Sequence, residues 1–353
     1  MALMVGATTG MYTIAPPQEA SAEISDKFRL EVNGVMSYVY NKDYLGGYQK
    51  KDKNGSNLSS GYWNNYNRVV LNYFLDKNVT LHTRFHSGYD SVGNYYANSN
   101  TGTYFDQTYI DFKDKKANVT YTLGKMGAVL GQTMLYNSTG NHTGAKISLG
   151  NWYDPQSLQI WYANKNGGQK FFAVQASKEI VKNFQLTAAY LQHTAAAYND
   201  NNNNKYREIK DWDVGFKAKM PGVTVVGEYA KNIAPDERLY QHRSTDKRAF
   251  FIEVYTGPTS DMTSGLPLQK PGTNVWSLKY QDIGSNAVGS HNTTFYDDAR
   301  GWRLNYGHTF RKGLAGDISI ARMQDKGGTV AGGDPANGKW KTAVVAELAY
   351  KFR

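Results

Sequence analysis

The chain has 353 residues, 40 Lys and Arg against 30 Asp and Glu, a formal charge of +10, no cysteine and a mean hydropathy of −0.60. The absence of cysteine excludes a disulfide-built fold, and past the N-terminus no stretch of 18 apolar residues exists to cross a bilayer as a helix. The basic residues form no runs interleaved with aromatics, so nucleic acid is not an expected partner; a basic channel lining or contact with anionic headgroups fits the charge better.

Residues 1–22 resemble part of a Sec signal: residues 2–14 are mostly small and apolar, and Ala20-Ser21-Ala22 is an A-x-A cleavage site before Glu23. No Lys or Arg precedes Lys27, so the basic n-region is missing. From residue 23 onward a single domain is expected. About sixteen alternating segments follow in chain order, at 28–40, 62–75, 78–89, 104–113, 117–125, 143–149, 157–164, 170–178, 183–194, 210–219, 222–231, 247–256, 273–283, 301–311, 314–323 and 341–352. The first sets Phe28, Leu30 and Val32 against Arg29, Glu31 and Asn33, and the second sets Val69, Leu71 and Tyr73 against Arg68, Val70 and Asn72. The third opposes Leu81, Thr83 and Phe85 to His82, Arg84 and His86, and the last carries Val344, Ala346, Leu348, Tyr350 and Phe352 on one face. Period-two alternation also suits a strand of a soluble sandwich, so the strands alone leave two settings open.

The connections separate the two. Long ones (41–61, 90–103, 126–142, 195–209, 232–246, 284–300, 324–340) alternate with short ones (76–78, 113–116, 150–156, 179–182, 220–222, 311–313), broken only by a short 165–169 and a long 256–272. An antiparallel barrel spanning an outer membrane has tight turns on one rim and long loops on the other; a sandwich has no reason to alternate in this way. An even strand number lets the first strand close on the last, which removes the open edge and pairs every backbone group where lipid cannot. Sixteen strands enclose a cylinder too wide for side chains to fill, and an aqueous channel remains. Tyrosines such as Tyr73, Tyr121, Tyr190, Tyr280, Tyr306 and Tyr350 fall near strand ends, as interfacial girdles require. The fold class expected is therefore all-β, a transmembrane antiparallel up-and-down barrel.

With this pattern, residues 28–353 resemble the general trimeric porins of Gram-negative-type outer membranes. Thr122-Leu-Gly-Lys-Met126 closes the fifth strand and opens the third long loop, which in porins folds into the lumen as the constriction; Gly124, Gly127 and Gly131 permit the inward turn. Arg29, Arg68 and Arg84 match the basic ladder that porins carry on the facing wall, and the last strand resembles the signal read by the barrel-assembly machinery. Two departures stand out: Arg353 follows the terminal Phe352, and 126–142 holds no Asp or Glu, which points toward an anion-leaning pore. The tyrosine- and asparagine-rich composition and the Lys-Phe-Arg end are also similar to porins of diderm Firmicutes, which often add an S-layer-homology domain; the barrel without that domain is expected here.

The resemblance implies passive diffusion of small hydrophilic solutes through an exported outer-membrane protein, a homotrimer in contact with lipid and lipopolysaccharide, with no cofactor and no catalysis. Pore-lining or constriction residues expected are Arg29, Arg68, His82, Arg84, Lys125, Gln132 and Arg303, with Glu31, Glu228 and Glu347 as counter-charges. The alternative is a substrate-specific channel for sugars, phosphate or carboxylates, with Phe74, Tyr109, Trp161 and Phe251 as inward aromatics. An enzyme in the barrel wall and a soluble β-rich adhesin are the remaining readings. For the enzyme, His82 and His86 are the best base or metal pair, but four residues of strand separate them by about 13 Å, too far to share one ion.

Overall fold

In the computed structural model, the described residues are 27–41, 45, 60–90, 102–150, 156–165, 169–200, 203–236, 239, 246–289, 295–296, 298–326, 338 and 340–353. Among them, sixteen antiparallel strands pair in sequence order and close into one barrel. They are β1 (Phe28–Tyr40), β2 (Gly61–Phe74), β3 (Val79–Asp90), β4 (Gly102–Asp114), β5 (Val119–Leu130), β6 (Tyr136–Leu149), β7 (Gln156–Lys165) and β8 (Gln169–Val181). The second half comprises β9 (Phe184–Asp200), β10 (Asn203–Met220), β11 (Val223–Asn232), β12 (Arg248–Thr256), β13 (Asn274–Ile283), β14 (Ala299–Arg311), β15 (Leu314–Asp325) and β16 (Trp340–Phe352). All sixteen expected segments are strands. The expected signal segment lies outside the described residues, as do most of the long connections.

β1 closes on β16 from Val32 opposite Phe352 to Tyr40 opposite Val344. The trailing basic residue has a place at this seam: Arg353 Nε donates to Glu31 Oε2 at 2.6 Å, and Lys351 Nζ lies 3.3 Å from Glu31 Oε1. Two cations, Lys351 of β16 and Arg353 just past it, thus hold one carboxylate of β1, adding side-chain contacts to the ladder that removes the barrel's edge.

The outward face is apolar. Ile252 and Val254 of β12, Leu278 of β13, Leu304 of β14 and Ile318 and Ile320 of β15 are all exposed, side by side on adjacent strands. Aromatic pairs stand among them, Trp276–Tyr306 at 4.6 Å between ring centroids and Tyr280–Trp302 at 4.8 Å. Leaving a large apolar side chain in water forgoes about 1.5–3 kcal/mol each, so a contiguous belt of this kind calls for hydrocarbon around it.

The packed core lies inside the barrel. β5 and β6 run longer than the sequence suggests, continuing as a hairpin whose turn is only 131–135, with a bulge between Met126 and Ala128. The hairpin bends inward, and Met126, Leu130, Met134, Leu135 and Tyr136 are buried in one cluster with wall residues of β7 to β13, among them Trp161, Phe171, Leu191, Phe251 and Ile283. Gly124, at φ +129°, sits where β5 leaves the wall; a side chain there would come within 2.5 Å of the Thr108 carbonyl of β4.

Candidate functional site

The inward hairpin is fastened at its tip. Glu228 of β11 is an inward residue, 3% exposed, and its carboxylate accepts three backbone hydrogen bonds from the turn: Gln132 N at 2.9 Å, Met134 N at 3.2 Å and Leu135 N at 3.0 Å. Gln175 of β8 provides a second latch, accepting from Gly131 N at 3.2 Å and donating to the Val129 carbonyl at 3.0 Å. Charge-assisted bonds of this sort are roughly twice as strong as neutral ones, and here they satisfy a turn whose N–H groups have no strand partner. Gly131 makes the approach possible. Its φ is +63°, and a Cβ there would fall 2.0 Å from Glu228 Oε1 and 3.0 Å from Asp213 Oδ1.

The wall facing away from the hairpin carries charge. On β3 and β4, Arg84 makes a bidentate pair with Asp106, Nε to Oδ1 at 2.8 Å and Nη2 to Oδ2 at 2.5 Å. His86 Nδ1 lies 3.5 Å from the same carboxylate and accepts from Arg68 Nε at 3.2 Å, while the Arg68 guanidinium stands 4.3 Å from the Tyr66 ring centroid. Nearer the short-turn rim, His82 Nε2 is 3.0 Å from Asp111 Oδ2, its Nδ1 is 2.5 Å from Asn72 Oδ1, and Tyr109 stacks on its ring at 4.6 Å. A cavity of about 550 Å³ opens against this wall, lined by Phe74, Thr80, His82, Asp111 and Lys113. β2 to β4 are thus the charged arc of wall beside the hairpin, with Tyr109 at the edge of the hairpin's buried cluster.

The residues expected to line the pore divide into groups. Arg68, His82 and Arg84 gather on this free arc. Arg29 is exposed on β1 with the parity of Glu31 and Asn33. Gln132 is at the hairpin turn, where Nε2 donates to Thr187 Oγ1 at 3.4 Å. Arg303 is 4% exposed and held by Asn305 Oδ1 at 2.8 Å and Ser319 Oγ at 3.0 Å. Glu347 is inward on β16, whereas Glu31 is engaged at the seam. Lys125 is placed differently from the expectation. It shares the face of Tyr121 and Leu123, which are exposed on the outside, and its Nζ donates to the Phe105 carbonyl at 2.8 Å. The ladder between β4 and β5 ends at Thr108 opposite Lys125, so the ammonium satisfies a β4 carbonyl left open where β5 peels inward.

Several functional residues escaped the sequence reading. Asp106 sits on a bulge, with the register shifting between Arg84 and Phe85, and this turns its side chain to the inner wall beside Arg84. Asp213 was legible in principle, because Asp211 and Asp213 alternate with outward Trp212 and Val214. Of the inward aromatics, Trp161 and Phe251 are 2% and 3% exposed beneath the hairpin, and Phe251 packs on Phe295 at 5.0 Å. They are core, not a stacking path for sugars.

The long-loop rim holds a titratable clamp. Lys326, just past β15, donates to Asp246 Oδ2 at 2.5 Å and to Asp282 Oδ1. Burial pushes the Asp246 carboxyl up, but the Lys326 and Arg248 hydrogen bonds and charges outweigh it and hold the group below the usual carboxylate range. Burial lowers Lys326, and the two carboxylates more than reverse this. A depressed carboxyl stabilises above its unfolded value and loses that contribution as pH falls through the folded one; a raised ammonium loses its contribution only as pH climbs past its own. The clamp should therefore hold across neutral and moderately alkaline pH, and loosen only in acid, as pH falls below the ordinary carboxylate range of about 4 toward the depressed value of Asp246. Protease nicking of the rim loops in membrane-embedded protein should rise on acidification, and Lys326→Met should nick at neutral pH as the parent does in acid. Nicking of the parent that stays at its neutral-pH level throughout acidification would contradict this.

No family model matches the chain, and no curated protein matches it. Among solved structures it is similar to a triple mutant of Rhodopseudomonas blastica porin, at 12% identity over 92% of this chain and 100% of that one, with a TM-score of 0.54. It is also similar to OprB of Pseudomonas putida at high pH, at 11% identity over 92% and 94% of the two chains and a TM-score of 0.56. A third similar structure is a loop-deletion mutant of OmpT, an outer membrane protein of Vibrio cholerae, at 10% identity over 93% and 100%, with a TM-score of 0.52. The fold is that of a sixteen-stranded porin-type barrel.

Proposed function

We propose that this barrel is an outer-membrane porin, a water-filled channel for passive diffusion of small hydrophilic solutes. The observation that carries the proposal is the combination of an apolar outer belt with a charged inner wall that a fastened hairpin narrows without filling. The channel leans toward anions: Glu228 is spent on the hairpin turn and Asp106 on Arg84, while Arg68, Lys146, Lys217 and Lys219 stand on the inner face. Catalysis is not part of the reading: both ring nitrogens of His82, the expected base, are engaged by Asn72 and Asp111. Export by the Sec pathway, insertion by the barrel-assembly machinery, contact with lipopolysaccharide and a homotrimeric state are carried over from the resemblance to porins.

Swelling of proteoliposomes in iso-osmotic sugars tests the diffusion reading. Swelling rates should fall smoothly with solute size, with no solute favoured over others of its mass. One sugar entering far faster than its isomers would instead support a substrate-specific channel.

A further inference from the structure

The connection between β12 and β13 is seventeen residues, 257–273, on a rim where β8–β9, β10–β11 and β14–β15 are joined by two residues each. Two-residue links are what antiparallel neighbours ordinarily need. The extra chain does not extend away from the barrel. It turns inward through a short 3-10 turn, Leu266–Leu268, and buries Met262 and Leu266 against Val275 and Ala315. Both wall residues are inward ones: Trp276 beside Val275 is exposed on the lipid side, and Ala315 has the parity of buried Asp317 and Ser319. The wall is shaped to receive the segment at Gly307, also inward, where a Cβ would fall 2.6 Å from Leu266 Cδ2 and 2.6 Å from Met262 Sδ. Backbone bonds fix it further. Thr309 Oγ1 donates to the Leu266 carbonyl at 3.0 Å and Gly313 N to the Pro267 carbonyl at 2.9 Å.

From this anchor the segment reaches round the seam. Thr263 lies beside Tyr66 of β2, whose ring carries the Arg68 guanidinium. Asp261 is exposed and lies within electrostatic reach of Tyr66, of Asp317 on β15 and of Glu347 on β16. Its Oδ1 accepts from Thr263 N at 3.1 Å and Ser264 N at 2.8 Å, which fixes the carboxylate at the tip of the turn. The hairpin covers the inner wall from β7 to β13, and this segment covers it from β13 through the seam to β2. What stays open is the arc of β3 and β4 with the short-turn end of β2, where the cavity lies.

Resting on the channel reading, we propose that residues 257–273 form a second constriction at the short-turn mouth and that Asp261 is its selectivity-determining charge, the acidic counterpart that 126–142 lacks. Solutes pass the hairpin and then a narrower mouth between Asp261 and the wall of Arg68 and Arg84. Acid on one side and guanidinium on the other oppose free passage of either ion sign, so Asp261 moderates the anion preference set elsewhere.

Three variants measured in planar bilayers test this. Replacing residues 258–273 by Asn-Gly should raise single-channel conductance about 1.5- to 2-fold, as a widened mouth admits more current. Asp261→Asn keeps the amide oxygen for the turn and should shift the reversal potential in a salt gradient further toward anions at nearly unchanged conductance. Because the chain has no cysteine, Ser264→Cys offers a single thiol; a charged methanethiosulfonate should reduce its conductance and leave the parent untouched. The thiol variant decides if the shortened barrel fails to fold. A parent that conducts while the thiol-modified channel and Asp261→Asn both behave as the parent would overturn the second constriction. A parent that does not conduct at all would overturn the channel reading instead.

Discussion

Glu228→Ala should raise single-channel conductance and make it noisy, with the barrel still inserted and folded. Three backbone donors of the hairpin turn, Gln132, Met134 and Leu135, end on this one carboxylate. Removing it leaves those N–H groups in a buried cluster with no acceptor. Orphaning a buried donor costs about 1–3 kcal/mol, and more where the lost partner is charged. Several such losses in a turn of five residues rival the packing that holds Met134 and Leu135 against the wall, so the tip detaches and samples the lumen. The barrel survives because its own ladder does not pass through Glu228's side chain. Glu228→Gln separates the parts: its one carbonyl oxygen serves fewer donors, and the effect should be intermediate. Heat-modifiable gel migration checks the fold, and bilayer recordings check the tip. Unchanged conductance with an intact fold would show that apolar packing alone holds the hairpin.

Arg84→Ala and Asp106→Asn should move selectivity in opposite directions. The pair is bidentate, and the Asp106 side chain is 4% exposed. Removing the guanidinium strands a buried carboxylate, a loss of about 3–5 kcal/mol where the site is fully enclosed and less where water reaches it. The wall then gains negative potential, and the reversal potential in a salt gradient should move toward cations. Asp106→Asn frees Arg84 and should move it toward anions. The double variant Arg84→Ala, Asp106→Ala should be closer to the parent in thermal stability than Arg84→Ala alone, because neither charge is left unpaired. No shift from either single variant would mean that neither residue is sensed by the permeating ions.

The strands were legible because each must obey two demands at once. Lipid outside and water or packed core inside impose a strict period of two, and β1, β3 and β16 keep it without interruption, His82, Arg84 and His86 against Leu81, Thr83 and Phe85 being the clearest case. The inward turn of the long loop after the fifth strand was expected from the resemblance to porins, with glycines there that permit it. What was hidden depends on contacts between distant parts of the chain. The bulge that swings Asp106 inward is a property of the pairing between β3 and β4, not of either strand alone. Lys125 has the composition of a pore residue and the location of a backbone cap, because the wall opens beside it. The long 256–272 connection stood out as an irregularity of length, yet its inward fold depends on Gly307, about forty residues further along, which offers the space for Leu266 and Met262. Arg353, a departure at the C-terminus, acquires its role only when Glu31 is brought beside it by closure.

Purified protein added to a planar lipid bilayer at fixed voltage tests the central claim most directly. The barrel should insert in discrete steps of current that scale linearly with voltage and with bulk salt, and in a salt gradient the reversal potential should take the sign of anion preference. Stable insertion, shown by heat-modifiable migration of the reconstituted protein, together with no current at any voltage, would contradict it.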